Sequence, residues 1–213
     1  MSSLVRPEFG PTLPELVGPR LRRLPRAARI ALAVAAAAVA TAVLALALGA
    51  GEEEQVVVAR EGEPFNFIYR PPFERREPRA GEIVRVGSAT EFMAVRPLRL
   101  EPFRGDVAGM LPVHAAREQI RLARELPGFM WRFDGRANVN RIQGYEFSYQ
   151  YRPDGRLTYG RRIYLLPTPT SRVGVELVLE GRRSRTLPNV DAVGRNGPLK
   201  TSLRSFRFGT ERP

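Results

Sequence analysis

Apolar and polar residues alternate most clearly over "YEFSYQYRPDGRLTYGRRIYLL". Tyr145, Phe147, Tyr149 and Tyr151 fall on one face of an extended strand, Pro153-Asp154-Gly155 makes a turn, and a second strand runs to Leu166. After a further turn at "TPTSR", Val173, Val175, Leu177 and Leu179 alternate as a third strand, with Glu176 pointing the opposite way. These three strands form an antiparallel meander. Earlier in the chain, "QVVVAR" (55–60), "PFNFIYR" (64–70) and the pieces at 82–87 and 91–100 read as extended, the second ended by Pro71 and Pro72. Between these strands and the meander the period changes. Val113, Ile120, Leu122 and Leu126 interleave with Arg117, Glu118, Arg121, Arg124 and Glu125, which predicts an amphipathic helix stopped at Pro127-Gly128. "NVDAVGRNGPLKTSLRSFRFG" predicts a short helix near 189–194 and an extended end at 205–208. The order predicts an α+β domain: an antiparallel sheet with one main covering helix and a short C-terminal helix.

A different pattern precedes this domain. From Ile30 to Gly51 no residue is charged, and 22 residues of helix at about 1.5 Å each span roughly 33 Å, a bilayer's hydrocarbon thickness. A single transmembrane helix is therefore expected at 30–51. The alternative is a cleaved signal peptide, for which Ala45-Leu46-Ala47 or Ala47-Leu48-Gly49 would serve as the cleavage site and which would release a secreted form. The run is long for that class, and the polar region before it is as long as a whole signal peptide. Arg20, Arg22, Arg23, Arg26 and Arg29 precede the span and Glu52, Glu53 and Glu54 follow it, which orients the N-terminus to the cytosol. The expected plan is a basic, proline-rich cytosolic tail at 1–29 and the span at 30–51. A stalk with the first strand at 52–63 and an extracytoplasmic α+β domain at 64–213 follow. The five arginines are expected to lie on anionic membrane lipid.

Charge adds a candidate surface. The part beyond the span holds 28 basic and 20 acidic residues, and all basic residues of the chain but Lys200 are arginine. Arg152, Arg161 and Arg162 stand beside the aromatic row, which is expected to face inward, and they are expected on the wet side of the sheet. There they would meet an anionic envelope polymer, a lipid headgroup or an acidic protein. The outward topology excludes nucleic acid as a partner.

Candidate chemistry is sparse. Cysteine is absent, which excludes disulfides and a thiol nucleophile, and His114 is the one histidine, too few for a zinc site. A base at His114 would have to recruit a serine such as Ser88 or Ser205 through the fold. No phosphate-binding glycine loop occurs. Asp106, Asp134, Asp154 and Asp191 are the acids that would have to converge in an envelope hydrolase, each with a simpler role in a turn or helix start. No catalytic, metal or cofactor residue is assigned, and the expectation is a non-catalytic binding or scaffolding domain.

"FNFIYRPP", the meander from Tyr145 to Leu179 and the closing "SLRSFRFG" resemble the PsbP-like α+β domain, a resemblance that covers most of 64–209. With "PTLPEL" and "LKTSLRSFRFGTERP", the whole chain is also similar to membrane-anchored actinobacterial proteins of unknown function. The first resemblance implies a binding or assembly module and brings no metal-binding histidine pair to this chain.

Overall fold

The computed structural model describes position 25, helical positions at 27, 28, 30, 31, 34, 35, 37–39 and 41, and positions 53–60, 64–102 and 104–211. The chain divides into two compact units, Met1–Ala50 and Gly51–Pro213. In the first, Thr41 Oγ1 donates to the carbonyl of Ala37 at 2.8 Å, a bond within one helical turn. Among the described residues no helix is long and apolar enough to cross a membrane. The greater part of the span expected at 30–51 lies outside the described residues, as do Arg20, Arg22, Arg23, Arg26 and Arg29.

The second unit is α+β with antiparallel sheets and few helices. Its elements are β1 (Glu54–Val58), β2 (Phe65–Tyr69), β3 (Glu74–Arg76), β4 (Val84–Gly87), β5 (Glu91–Arg99), α1 (Met110–Glu125), β6 (Met130–Val139), β7 (Ile142–Tyr151), β8 (Thr158–Leu165), β9 (Val173–Arg182), α2 (Gly197–Ser205) and β10 (Arg207–Phe208). One sheet has the order β1-β2-β10 and the other β3-β4-β5-β9-β8-β7-β6. The meander β7-β8-β9 lies at the centre of the larger sheet. Pro97 is tolerated in β5 because β4 pairs only with Phe92–Val95, so the proline sits past the end of that neighbour.

Both faces of the seven-stranded sheet are covered, the second only in part. On one, Val84, Val86, Met93, Val95, Ile163, Leu165, Val175, Leu177 and Leu179 pack with Phe65 and Phe67 of β2 and with Leu199, Leu203 and Phe206 in and beside α2. On the other, Phe147, Tyr149, Tyr164 and Leu166 pack with Met110, Leu111, Ala115 and Leu122 of α1. Asn66, buried in β2, ties down the C-terminal segment by donating to the carbonyls of Gly209 and Glu211 at 2.9 and 2.7 Å.

Three expectations change. Helix α1 ends as expected, with Gly128 at φ +64°, but its buried stripe is 111, 115 and 122, spaced by four and seven. Val113 and Ile120, seven apart on another face, are exposed. The expected helix near 189–194 is a short 3-10 turn at Val190–Ala192, and the longer helix is α2, which opens on Gly197-Pro198. Strands β3 and β6, at the two edges of the larger sheet, were not expected.

Candidate functional site

The face beneath α1 is polar at its centre. Arg162 and Glu176 are diagonal neighbours on β8 and β9, since Arg162 stands opposite Val178 and Tyr164 opposite Glu176. Arg162 is 4% exposed and donates from Nη1 to Glu176 Oε1 at 2.5 Å. The same nitrogen lies 3.6 Å from Glu118 Oε2 of α1, so the helix closes the pair from above. Burial works against the charge on Arg162, but Tyr149 and Glu176 outweigh it and raise its pKa well above the ordinary value. Burial also pushes the Glu118 carboxyl up, while the hydrogen bond and charge of Arg121, with Arg162, bring it below the usual value. His114 meets Tyr164 edge-on, ring centres 5.0 Å apart, and the Tyr164 hydroxyl has no hydrogen-bond partner among the described residues.

Four residues further along β9, beyond Val178, the same face carries Glu180. Its two oxygens accept from Tyr149 at 2.5 Å and Tyr151 at 2.7 Å. Burial first, and then the negative charge of Glu180, raise both tyrosines well above their ordinary pKa, which keeps their hydroxyls as donors. The ring of Tyr149 lies flat over Gly160 of β8, where a Cβ would come within 2.3 Å of it, so only glycine fits. Arg85 of β4 donates to Glu82 at 2.7 Å and lies 3.6 Å above the Phe92 ring, a cation–π contact.

These contacts correct the expected anionic-partner surface. Arg161 and Arg162 are adjacent in one strand, so their side chains point to opposite faces, and both faces are covered. Arg162 is in the pair just described. On the other face Arg161 donates from Nη2 to Glu146 at 2.6 Å and from Nη1 to the carbonyl of Val193 at 3.1 Å. Only Arg152 of the three is exposed; its backbone N–H donates to Pro127 at 2.8 Å. Glu176, expected on a wet face, is 8% exposed.

The acids considered for hydrolysis have local roles. Asp106 accepts from Ala108 N at 3.0 Å, and Asp154 lies in the β7–β8 turn at φ +52°. Asp191 is in the 3-10 turn, and Asp134 accepts from Tyr145 at 2.5 Å, which with burial pushes that tyrosine up to about 12. Ser205 donates back to the carbonyl of Thr201 at 2.9 Å, while Ser88 caps the β4–β5 turn by accepting from Glu91 N at 3.2 Å. Among the described residues no group of three or more histidine or acidic side chains is placed to hold a metal ion.

Among the described residues two concavities stand out. One, of about 450 Å³, opens over the end of the sheet that α1 leaves bare, with Arg76, Arg79, Arg85, Thr158, Glu180 and Arg182 in its lining. The other, of about 860 Å³, lies between the β6–β7 hairpin and the start of α1, with Leu111, Ile142, Tyr145, Leu166, Arg136 and Arg141 in its lining. Sequence reading missed the first. A signal was present on β9, where Glu176, Val178 and Glu180 make the second face part polar and part apolar, as a covered face requires when its charges are paired.

No family model and no curated protein sequence matches the chain. Among solved structures it is similar to LpqN of Mycobacterium tuberculosis, described as involved in cell envelope biogenesis. Identity is 12%, the match covers 76% of this chain and 93% of LpqN, and the TM-score is 0.50. It is also similar to cyanobacterial PsbP from Synechocystis sp. PCC 6803, with 11% identity, coverage of 76% and 95%, and a TM-score of 0.46. The likeness to LpqN shows a shared fold.

Proposed function

We propose that this chain is a single-pass membrane protein whose α+β domain is a non-catalytic binding or scaffolding module of the cell envelope. The N-terminus lies in the cytosol and the domain outside, and the partner is an anionic envelope polymer or an acidic protein, with membrane lipid around the span. One observation carries the reading. Apart from Glu91, which accepts from Thr186, the buried charged side chains described above are spent on one another, Arg162 with Glu176 and Arg161 with Glu146, or on tyrosines, as at Glu180. Acids held this way are oriented by their donors inside the domain. Arginines such as Arg76, Arg79, Arg152 and Arg182 are exposed and in no ion pair among the described residues. The fold shared with LpqN, and the description of that protein, support the envelope assignment.

The test is retention of the full-length protein, in nonionic detergent, on purified cell-wall material across a salt series. Retention at low salt that falls steeply as the Debye length shrinks from about 10 Å to about 3 Å is expected. Turnover of the wall material, or no retention at any salt, overturns the reading.

A further inference from the structure

We propose that the cavity over the bare end of the seven-stranded sheet binds a phosphate ester of a polyol, with the phosphate at the arginine rim and a hydroxyl at the floor. The proposal rests on the reading of the domain as a binding module, but not on which polymer or protein that module meets.

Strand register builds the cavity. Arg76 stands opposite Arg85, Phe92 opposite Glu180, and Thr158 between Arg182 and Tyr151, so side chains from five neighbouring strands and β7 share one face. Helix α1 packs on β7, on β6 and over Arg162 and Tyr164 of β8, and none of its residues lines this end. The result is a recess of about 450 Å³, within the range of small-molecule sites.

Its rim and floor offer different chemistry. Arg85 is already neutralised by Glu82 and laid on Phe92. Arg76, Arg79 and Arg182 are in no ion pair among the described residues, and Arg76 is oriented by its Nε donating to the carbonyl of Gly87 at 3.1 Å. Three guanidinium forks around one recess match a tetrahedral dianion better than a carboxylate, which one fork satisfies. Glu77 and Glu91 are the further acids of the lining, the first exposed and the second buried with the Thr186 hydroxyl donating to it. At the floor, Thr158 is 5% exposed and its hydroxyl oxygen has no hydrogen-bond partner among the described residues. Glu180 beside it uses one lone pair of each oxygen on a tyrosine and retains further acceptor capacity. A buried hydroxyl and a buried carboxylate with open acceptor sites call for a donor, and a ligand hydroxyl supplies it. The same ligand group, a glycerol phosphate unit, is carried by lipid headgroups and by soluble or polymeric phosphodiesters.

The test is titration calorimetry of the full-length protein in a polyoxyethylene detergent. The probes are glycerol 3-phosphate, inorganic phosphate, glycerol and glucuronate. Saturable binding of glycerol 3-phosphate is expected, at least tenfold tighter than glycerol or glucuronate. Arg79→Gln with Arg182→Gln should weaken it at least tenfold, and Arg124→Gln, an exposed control on α1 away from the cavity, should leave it unchanged. Thr158→Val, which keeps the side-chain shape, should weaken glycerol 3-phosphate several-fold and leave inorganic phosphate unaffected. A short-chain soluble phosphatidylglycerol that binds more tightly than glycerol 3-phosphate assigns the site to a lipid headgroup, and weaker binding assigns it to a free or polymer-borne phosphate. No saturable binding at millimolar glycerol 3-phosphate overturns the proposal, as does glucuronate binding at least as tightly or an equal loss in Arg124→Gln. If wall retention persists while glycerol 3-phosphate fails to bind, the site is wrong and the module reading stands.

Discussion

Arg162 and Glu176 pair at 2.5 Å across β8 and β9, with both side chains 10% exposed or less and Glu118 of α1 closing over them. Alternation along β9 alone would place Glu176 in solvent and predict that its charge is free to change. The covering helix reverses that expectation. Glu176→Lys sets two cations together under α1, and removal of one partner from a buried pair costs about 3–5 kcal/mol. Replacing both, Arg162→Met with Glu176→Leu, leaves no orphan charge and is expected within about 2 kcal/mol of the parent. Urea unfolding of the three proteins checks this, and an unchanged midpoint for Glu176→Lys would show that the pair is not buried.

The opposite face of β9 gives a prediction of the same kind. Leu177 is 0% exposed and packs in the core shared with Phe65, Phe67 and α2. Leu177→Asp buries an unpaired charge with no donor of its own and should exceed about 4 kcal/mol, enough to prevent folding. Protein that stays soluble with a native circular dichroism spectrum would place the strand in another register.

Period-two alternation was sufficient to read β7, β8 and β9 because each is central and holds its apolar row against a core. Strand β6 hides because it is an edge: in "MWRFDGRANV" Arg132, Asp134 and Arg136 are exposed, and a bulge between Trp131 and Phe133 breaks the alternation. Helix α2 hides behind Gly197-Pro198, a pair that reads as a turn and here opens a helix, with Gly197 at φ +61°. For the candidate site, the adjacency of Arg161 and Arg162 already implies opposite faces. What one strand does not encode is that both faces are covered, because the covers come from residues far along the chain, α1 on one side and β2 with α2 on the other. The arginine-rimmed cavity is less legible still, since it exists only where α1 ends.

Glu91 supplies a pH-dependent prediction. It is 7% exposed, one carboxylate oxygen accepts from Thr186 at 3.3 Å, and the other has no partner among the described residues. Burial raises its pKa above the ordinary 4.5, and the Thr186 hydroxyl offsets only part of that. A carboxyl whose folded pKa is raised contributes stability that is fully present below the unfolded value and lost as pH rises through the folded value. At neutral pH the ionised Glu91 is therefore a net cost. Glu91→Gln should stabilise the domain at pH 7, and the difference should vanish as pH falls below the ordinary carboxyl value of 4.5. Paired thermal melts across that range measure it; a difference that grows on acidification reverses the sign and removes the assignment.

The membrane reading stands on the uncharged run from Ile30 to Gly51 and the charges at its two ends. A helix of that run has about 33 Å of apolar length, and it leaves a bilayer only by exposing that surface to water. Full-length protein should therefore stay in the membrane fraction through high-salt and carbonate washes, which strip proteins held by surface charge alone. Deleting 30–51 should release it. Protease added from outside should degrade the chain from Glu52 onward and spare the arginine-rich tail at 1–29, because basic flanks stay in the cytosol. A mature form that begins near Leu48 or Ala50 would mean that the run is cut as a signal, and sparing of the domain with loss of the tail would invert the topology. In either case the glycerol phosphate titration keeps its meaning, because the cavity is built wholly from residues beyond Arg70.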